Sequence, residues 1–248
     1  MDAQETQVFI FLLIAIVVIA TIITYFFISM VRQQKANLEL KQKNMVSELN
    51  SIERERARIA ADLHDELSPI LSAIKLKIST FELRGEDDKI QQQKTNEHLN
   101  DVLKRMREIS FDLMPVTLQR KGLSAALQEL VSYTSNKNQL RIELSAPPVR
   151  LQEAYNIHLY RIVQEIIHNT IKHAEATLLQ IRLLEEDQKI ILTSRDNGKG
   201  FRYAERLREG QGFGLRNLLS RADVMGGELY IDSKEGEGTI YTIEIPVS

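Results

Sequence analysis

The sequence has no cysteine. That excludes disulfides, thiolate metal sites and cysteine nucleophiles, and it suits domains that face a reducing cytoplasm. Tryptophan is absent too. Neither sign of charge is in excess: 32 Lys and Arg against 34 Asp and Glu leave a formal net charge of −2. No basic surface therefore argues for nucleic acid or acidic lipid. Histidine is scarce, with five in 248 residues, so each can be weighed by its surroundings. The length allows one or two soluble domains, each long enough to bury a core.

Charge is missing altogether from one stretch. Val8 to Val31 consists almost wholly of Ile, Leu, Val, Phe, Ala and Thr. As a helix it would be about 36 Å long, enough to cross a ~30 Å bilayer with some tilt. A signal peptide is the competing reading. It fits less well, because the preceding residues are acidic (Asp2, Glu5), the run is long, and no small-x-small cleavage site stands out. Arg32 and Lys35 follow at once. Positive-inside bias then places everything after residue 31 in the cytoplasm, with residues 1–7 as a short extracytoplasmic N-terminus. The expected location is the cytoplasmic (inner) membrane, crossed once at 8–31.

Beyond the apolar stretch the pattern becomes heptad. Leu38, Met45, Ile52 and Ile59 recur every seventh residue, with Leu49 and Leu63 as the second seam position and Arg56 interrupting it. The stripe could pack within its own domain or against a second chain; a coil of two chains over 32–55 suits the heptad. It continues through Leu67, Ile70, Leu71, Ile74, Ile78 and Phe81. Arg84 to Lys89 reads as a polar turn. A second amphipathic helix carries Leu99, Val102, Leu103, Met106, Ile109 and Leu113, and Pro115 should stop it. One hairpin has a poor core; two hairpins from two chains make a four-helix bundle, so residues 56–121 are expected to dimerise.

From Gly122 strands and helices interleave. Leu123–Val131 reads as helix, Gln139–Leu144 as strand and Leu151–Ala174 as a long amphipathic helix. Leu178–Leu184 and Ile190–Ser194 read as strands, Leu215–Met225 as helix, and Leu229–Asp232 with Thr239–Pro246 as a final hairpin. The expected fold of 122–248 is an α/β sandwich, with helices on one face of a mixed sheet.

Five groups of residues have the makings of chemistry. In Arg58-Ile-Ala-Ala-Asp-Leu-His64-Asp65-Glu66-Leu67 a histidine follows a seam residue and so lies at the flank of a bundle, beside a carboxylate. Such a carboxylate can fix the imidazole tautomer and leave one ring nitrogen nucleophilic. Taken alone, a surface histidine on a charged helix accounts for it as well. Glu165, Asn169 and Lys172 share a helical face and could hold Mg²⁺ and phosphate oxygens, or form an ordinary polar face. Asp196-Asn-Gly198-Lys-Gly200-Phe201 and Gly210-Gln-Gly212-Phe-Gly214-Leu-Arg-Asn217 are glycine-rich loops of the kind that approach phosphates, though turns produce similar runs. Asp196, at a strand end, could accept a hydrogen bond from an exocyclic amine. Gly236-Glu-Gly238-Thr239 leads into the last strand.

In this order, over residues 50–248, these groups resemble the bacterial two-component sensor histidine kinases, in the subgroup that pairs with nitrate-sensor-type and LuxR-type regulators. Residues 56–67 are similar to its phosphoacceptor box, 165–173 to its N box, and 196–201 and 212–217 to its two glycine boxes. The resemblance implies a dimerisation and phosphotransfer hairpin followed by the ATP-binding sandwich shared with DNA gyrase and MutL. It implies a homodimeric protein-histidine kinase that phosphorylates His64 from Mg-ATP. The phosphoryl group then passes to an aspartate of a response regulator with a helix-turn-helix output domain; the kinase itself binds no nucleic acid. It assigns His64 as phosphoacceptor, Asp65 as proton acceptor and Glu165 as the orienting or activating group. It assigns Asn169 to Mg²⁺, Lys172 to phosphate and Asp196 to the adenine amine, with Gly198, Gly200, Gly212, Gly214 and Thr239 lining the ATP site. One departure stands out. The subgroup places Gln or His four residues after its Asp to position water for dephosphorylating the regulator, and here that residue is Pro69. A weak phosphatase is expected. A catalytically silent relay and a gyrase-type ATPase are the rival classes.

Overall fold

The computed structural model describes residues 3–81, 85–135, 139–202 and 213–247. The chain divides into two compact units, Met1–Asn50 and Ser51–Ser248. Helix α1 spans Ala3–Asp62. Among the described residues it is the one helix long and apolar enough to cross a membrane, with a window of mean hydropathy 1.4. Its threonines bond back to the helix: Thr21 Oγ1 donates to the Val17 and Val18 carbonyls, and Thr24 Oγ1 donates to the Ala20 carbonyl at 2.8 Å. Those hydroxyls need no water, which suits an apolar surround.

In the second unit α1 ends in one π-helical turn, Leu63–Leu67, and α2 (Ser68–Ser79) continues from it. The cause is local. Pro69 has no N–H for the carbonyl of residue 65, and the Ser68 N–H reaches back five residues to Leu63 O. The kink that proline dictates takes this form. Helix α3 runs Glu86–Leu113. The expected polar turn to Lys89 is therefore too long: Glu86, Asp87 and Asp88 form the first helical turn, where acidic side chains meet the positive end of the helix dipole. Residues 82–84 of that turn lie outside the described residues. The helix stops before Pro115 as expected. Leu103, Met106 and Ser110 are buried against α1 and α2, and Ser110 Oγ donates to Ala60 O. Ile59, Ile70, Ile74, Val102 and Ile109 remain exposed in the single chain. Each helix thus carries a second apolar edge with no cover of its own.

Helix α4 (Val116–Ser135) is broken at Gly122, whose φ of 82° is open to glycine. After it come β1 (Arg141–Ser145), α5 (Glu153–Asn169), a second π-helical turn (Thr170–Ala174), β2 (Leu178–Glu186) and β3 (Lys189–Asp196). Helix α6 (Phe213–Val224) and strands β4 (Glu228–Lys234) and β5 (Gly238–Pro246) complete the chain. The sheet is mixed, in order β1-β2-β3-β5-β4, with only β1 and β2 parallel. Alternation of side chains sends Leu179, Ile181, Leu183, Ile190, Leu192, Ile243 and Ile245 to one face. There they pack against Leu127, Leu159, Ile162, Ile166 and Leu218 of α4, α5 and α6, and against Met225 just after α6. The expected sandwich is what forms; the helix read as Leu151–Ala174 is straight only as far as Asn169.

Candidate functional site

The cleft of the sandwich opens where α5 gives way to its π turn, facing the ends of β3 and β5. It is lined by Asn169, Thr170, His173, Ala174, Asp196, Lys199, Gly200, Phe201, Gly214, Leu215, Thr239 and Tyr241. Asp196 ends β3 with only 4% of its surface exposed. Its Oδ1 accepts the Gly198 N–H at 2.8 Å, and the Thr239 N–H also bonds to the carboxylate. Burial pushes its pKa above the usual carboxylate range, while those two amides oppose the rise. Held from behind by backbone, the carboxylate keeps acceptor capacity for a donor entering the cleft.

Gly198 does not line the cleft. A side chain there would collide with the Ala174 carbonyl, and the Lys199 N–H donates to that same oxygen at 2.8 Å. Its smallness seats the loop after β3 against the end of the second π turn. Gly214, at the start of α6, lies over the α5 pair: a Cβ there would meet Glu165 Oε1 and approach Asn169 Nδ2. Asn169 Nδ2 donates to Glu165 Oε1 at 3.2 Å, so the amide oxygen is the group left to act as a ligand.

Of the residues singled out in the sequence, the cleft gathers Asn169, Asp196, Gly200, Gly214 and Thr239. Glu165 lines a neighbouring cleft with Arg56, Asp112, Leu113, Arg161, Gln164, His168, Asn217, Leu218 and Arg221. Lys172 is exposed and lines neither. An α-helical count puts it on the face of Asn169, but the π turn changes the angular step after residue 169 and presents His173 instead. Gly212 and the lid from 203 to 212 lie outside the described residues. Thr170, His173, Lys199 and Phe201 lie inside the N box and the first glycine box without a role assigned from the sequence, and Tyr241, two residues after Thr239, has no motif to mark it.

His64 sits inside the first π turn, exposed, as does Asp65. His64 Nδ1 and Asp65 Oδ1 are 2.7 Å apart. A carboxylate can only accept, so Nδ1 carries the hydrogen and Nε2 presents its lone pair to solvent.

An exposed, tautomer-fixed histidine on a helical hairpin, followed by a mixed-sheet sandwich with a carboxylate-floored cleft, is the arrangement of the histidine kinases, and the chain carries both of their catalytic domains. Residues 154–248 match the family described as histidine kinase-, DNA gyrase B- and HSP90-like ATPase, and residues 55–118 match a histidine kinase family. The chain is homologous to the sensor histidine kinase LiaS of Bacillus subtilis, 31% identical over 218 residues, covering 86% of this chain and 60% of LiaS. It is 30% identical over 227 residues to the sensor protein VraS of Staphylococcus aureus, covering 87% of this chain and 65% of VraS. It thus spans less than two thirds of the length of either relative. The fold is shared with the histidine kinase domain from the Erythrobacter litoralis EL346 blue-light activated histidine kinase. That superposition has a TM-score of 0.50 at 18% identity, over 79% of this chain and 94% of that one.

Proposed function

We propose that this chain is the sensor kinase of a two-component system and transfers the γ-phosphoryl group of ATP to its own His64. The observation that carries the reading is the His64–Asp65 hydrogen bond, which holds the proton on Nδ1 and frees Nε2. Nε2 attacks the γ-phosphorus, the bond to the ADP oxygen breaks, and Asp65 accepts the Nδ1 proton as positive charge grows on the ring. Asp196 receives the adenine amine, with Thr239 and Gly200 beside it and Gly214 bounding the phosphate end. Glu165 orients Asn169 through the amide hydrogen bond. Lys172, on the second π turn, and Gly212 keep their expected roles toward phosphate.

Mg²⁺ fits this donor set. It takes one or two protein oxygens together with substrate phosphates and water, and the Asn169 amide oxygen is such a donor. When bound it offsets phosphate charge. The hairpin of 56–121 works as a homodimer, 122–248 binds ATP, and 32–55 couples them to the 8–31 span, with residues 1–7 outside. The phosphoryl group then passes to an aspartate of a response regulator of the LuxR type. The Pro69 ring, without donor or acceptor, positions no water, so hydrolysis of the phospho-aspartate on the regulator is weak.

Incubation with γ-labelled ATP tests the reading. Label that is acid-labile and base-stable, and that vanishes in His64→Gln while nucleotide binding persists, supports it. Undiminished labelling of His64→Gln overturns the assignment of the acceptor.

A further inference from the structure

The sandwich and the helical hairpin meet around one buried carboxylate. Glu53, on α1, is 7% exposed. Its Oε2 accepts from Arg161 Nε at 3.1 Å, and its Oε1 accepts from Arg221 Nη2 at 2.7 Å. Arg161 comes from α5 and Arg221 from α6, at 4% and 7% exposure. Arg161 also donates to the Asp112 carbonyl at 2.8 Å, to Gln164 Oε1 at 2.7 Å and to the Leu113 carbonyl. Its guanidinium thereby grips the end of α3 as well. Arg221 Nη1 lies 3.2 Å from His158 Nδ1, and Arg56 lies 3.6 Å from Glu53. Three guanidinium groups therefore depend on one carboxylate. Burial pulls the Arg161 pKa below its ordinary range, and Glu53 is the largest influence opposing that.

Among the described residues most ion pairs are exposed and contribute little. The Glu53 pair is different: it is buried, two-pronged, and leaves buried positive charge uncompensated if the carboxylate withdraws. Both arginines belong to the ATP-binding sandwich. The carboxylate belongs to the helix that carries the apolar segment. A helix turn of one residue, ~100°, takes it out of reach.

Where the contact holds the sandwich matters. The cleft beside it has Arg56 on one wall and Glu165, His168 and Asn217 on the other. Glu165 therefore faces α1 at the level of Arg56. His64 lies eight residues further on, ~12 Å along a helix, whereas a reacting pair must come within ~3–3.5 Å. His64 is exposed and lines neither cleft.

We propose that Glu53 is an autoinhibitory latch: its double ion pair with Arg161 and Arg221 holds the ATP-binding domain docked away from His64, and movement of α1 that withdraws Glu53 releases the domain to phosphorylate. This rests on the kinase reading above. The released domain reaches either its own His64 or that of a second copy.

The test uses the full chain in lipid vesicles. Glu53→Gln should raise the initial rate of His64 labelling about tenfold, equivalent to ~1.4 kcal/mol of docked-state bias, with the KM for ATP within about twofold of the parent. Arg221→Gln should do the same. The double variant should be no faster than either single one, as expected when both remove one contact. A rate that is unchanged or lowered in Glu53→Gln, with ATP binding intact, overturns the latch. Because the chain has no cysteine, Glu53→Cys with Arg221→Cys can be joined by a flexible bismaleimide without side reactions. The joined protein should bind ATP and fail to label; full labelling overturns the proposal even if the glutamine variants fold poorly. Absence of label from the parent protein is a separate result, and it strikes the kinase reading rather than the latch.

Discussion

His64 Nδ1 and Asp65 Oδ1 lie 2.7 Å apart in adjacent positions of one π-helical turn. Asparagine at 65 keeps the size of the side chain but removes the charge that, in the proposed mechanism, stabilises the ring during phosphorylation. Asp65→Asn should slow autophosphorylation about 100-fold, the scale of lost general-base assistance. Nucleotide affinity should not change. Single-turnover labelling and equilibrium binding of a fluorescent ATP analogue give the two numbers; a rate within threefold of the parent would remove Asp65 from the mechanism.

Asp196 is held by the Gly198 and Thr239 amides with its remaining acceptor capacity toward the cleft. In the proposed site, Asp196→Asn puts an amide N–H₂ where the adenine amine would donate, so a donor would meet a donor. ATP affinity should fall by about 10- to 100-fold, the equivalent of one buried hydrogen bond lost with its partner stranded. Preference for ATP over GTP should fall with it. Calorimetry with both nucleotides checks this, and an unaltered base preference would count against the adenine role.

His158 is 2% exposed, and its pKa is lowered to about 4, first by burial, then by Arg221, with Glu53 opposing. The folded protein therefore holds this imidazole neutral, while an unfolded chain protonates it near 6.5. Its contribution is fully present above about 6.5 and is lost as the pH falls toward 4. At ~1.4 kcal/mol per pH unit the whole loss is roughly 3 kcal/mol. Urea unfolding of the fragment from Gln33, at pH 7.5 and at pH 5, should show the drop. His158→Gln should show a smaller one, and an equal drop in both proteins would assign the effect to other groups.

Ile70, Ile74, Val102 and Ile109 are exposed at 43–55% in the single chain, and Leu38 and Met45 are exposed earlier on α1. Burying such edges is worth roughly 25 cal/mol per Å² of apolar surface. The fragment from Gln33 should therefore sediment at micromolar concentration with twice the chain mass. Val102→Asp with Ile109→Asp should halve it without loss of ATP binding. A helical monomer in the parent fragment would contradict the bundle.

How much of this was legible in the sequence depended on distance along the chain. The strands were readable because β2, β3 and β5 alternate residue by residue, and Asp196 was readable as a strand-end carboxylate. Lys172 was placed on the face of Asn169 because an α-helical step was assumed, and the π turn at Thr170–Ala174 has no local sequence mark. The resemblance gives Gly198 to the ATP site; its smallness also serves the close approach of Ala174, which the sequence does not mark. The Glu53–Arg161 contact joins residues 108 apart, which no periodicity reveals. A hint was present: Arg161 is the charged residue in the otherwise apolar run Leu159-Tyr-Arg-Ile-Val163.

The π turn at His64 has an arithmetic of its own. Before it, the seam on α1 steps by four and three: Met45, Leu49, Ile52, Arg56, Ile59, Leu63. Continued without interruption, the count would fall on Glu66, Ile70, Ala73, Lys77 and Thr80. Moved by one, it falls on Leu67, Leu71, Ile74, Ile78 and Phe81, all apolar. The chain carries one surplus residue between Leu63 and Leu67, and the wide turn is where that residue is absorbed. One long rod can then keep the same edge toward its neighbour on both sides of the histidine while bulging at the histidine itself. Deleting Glu66 would straighten the rod and leave both halves of the edge in phase. Deleting a residue in the middle of α2 would instead swing everything beyond it by ~100°.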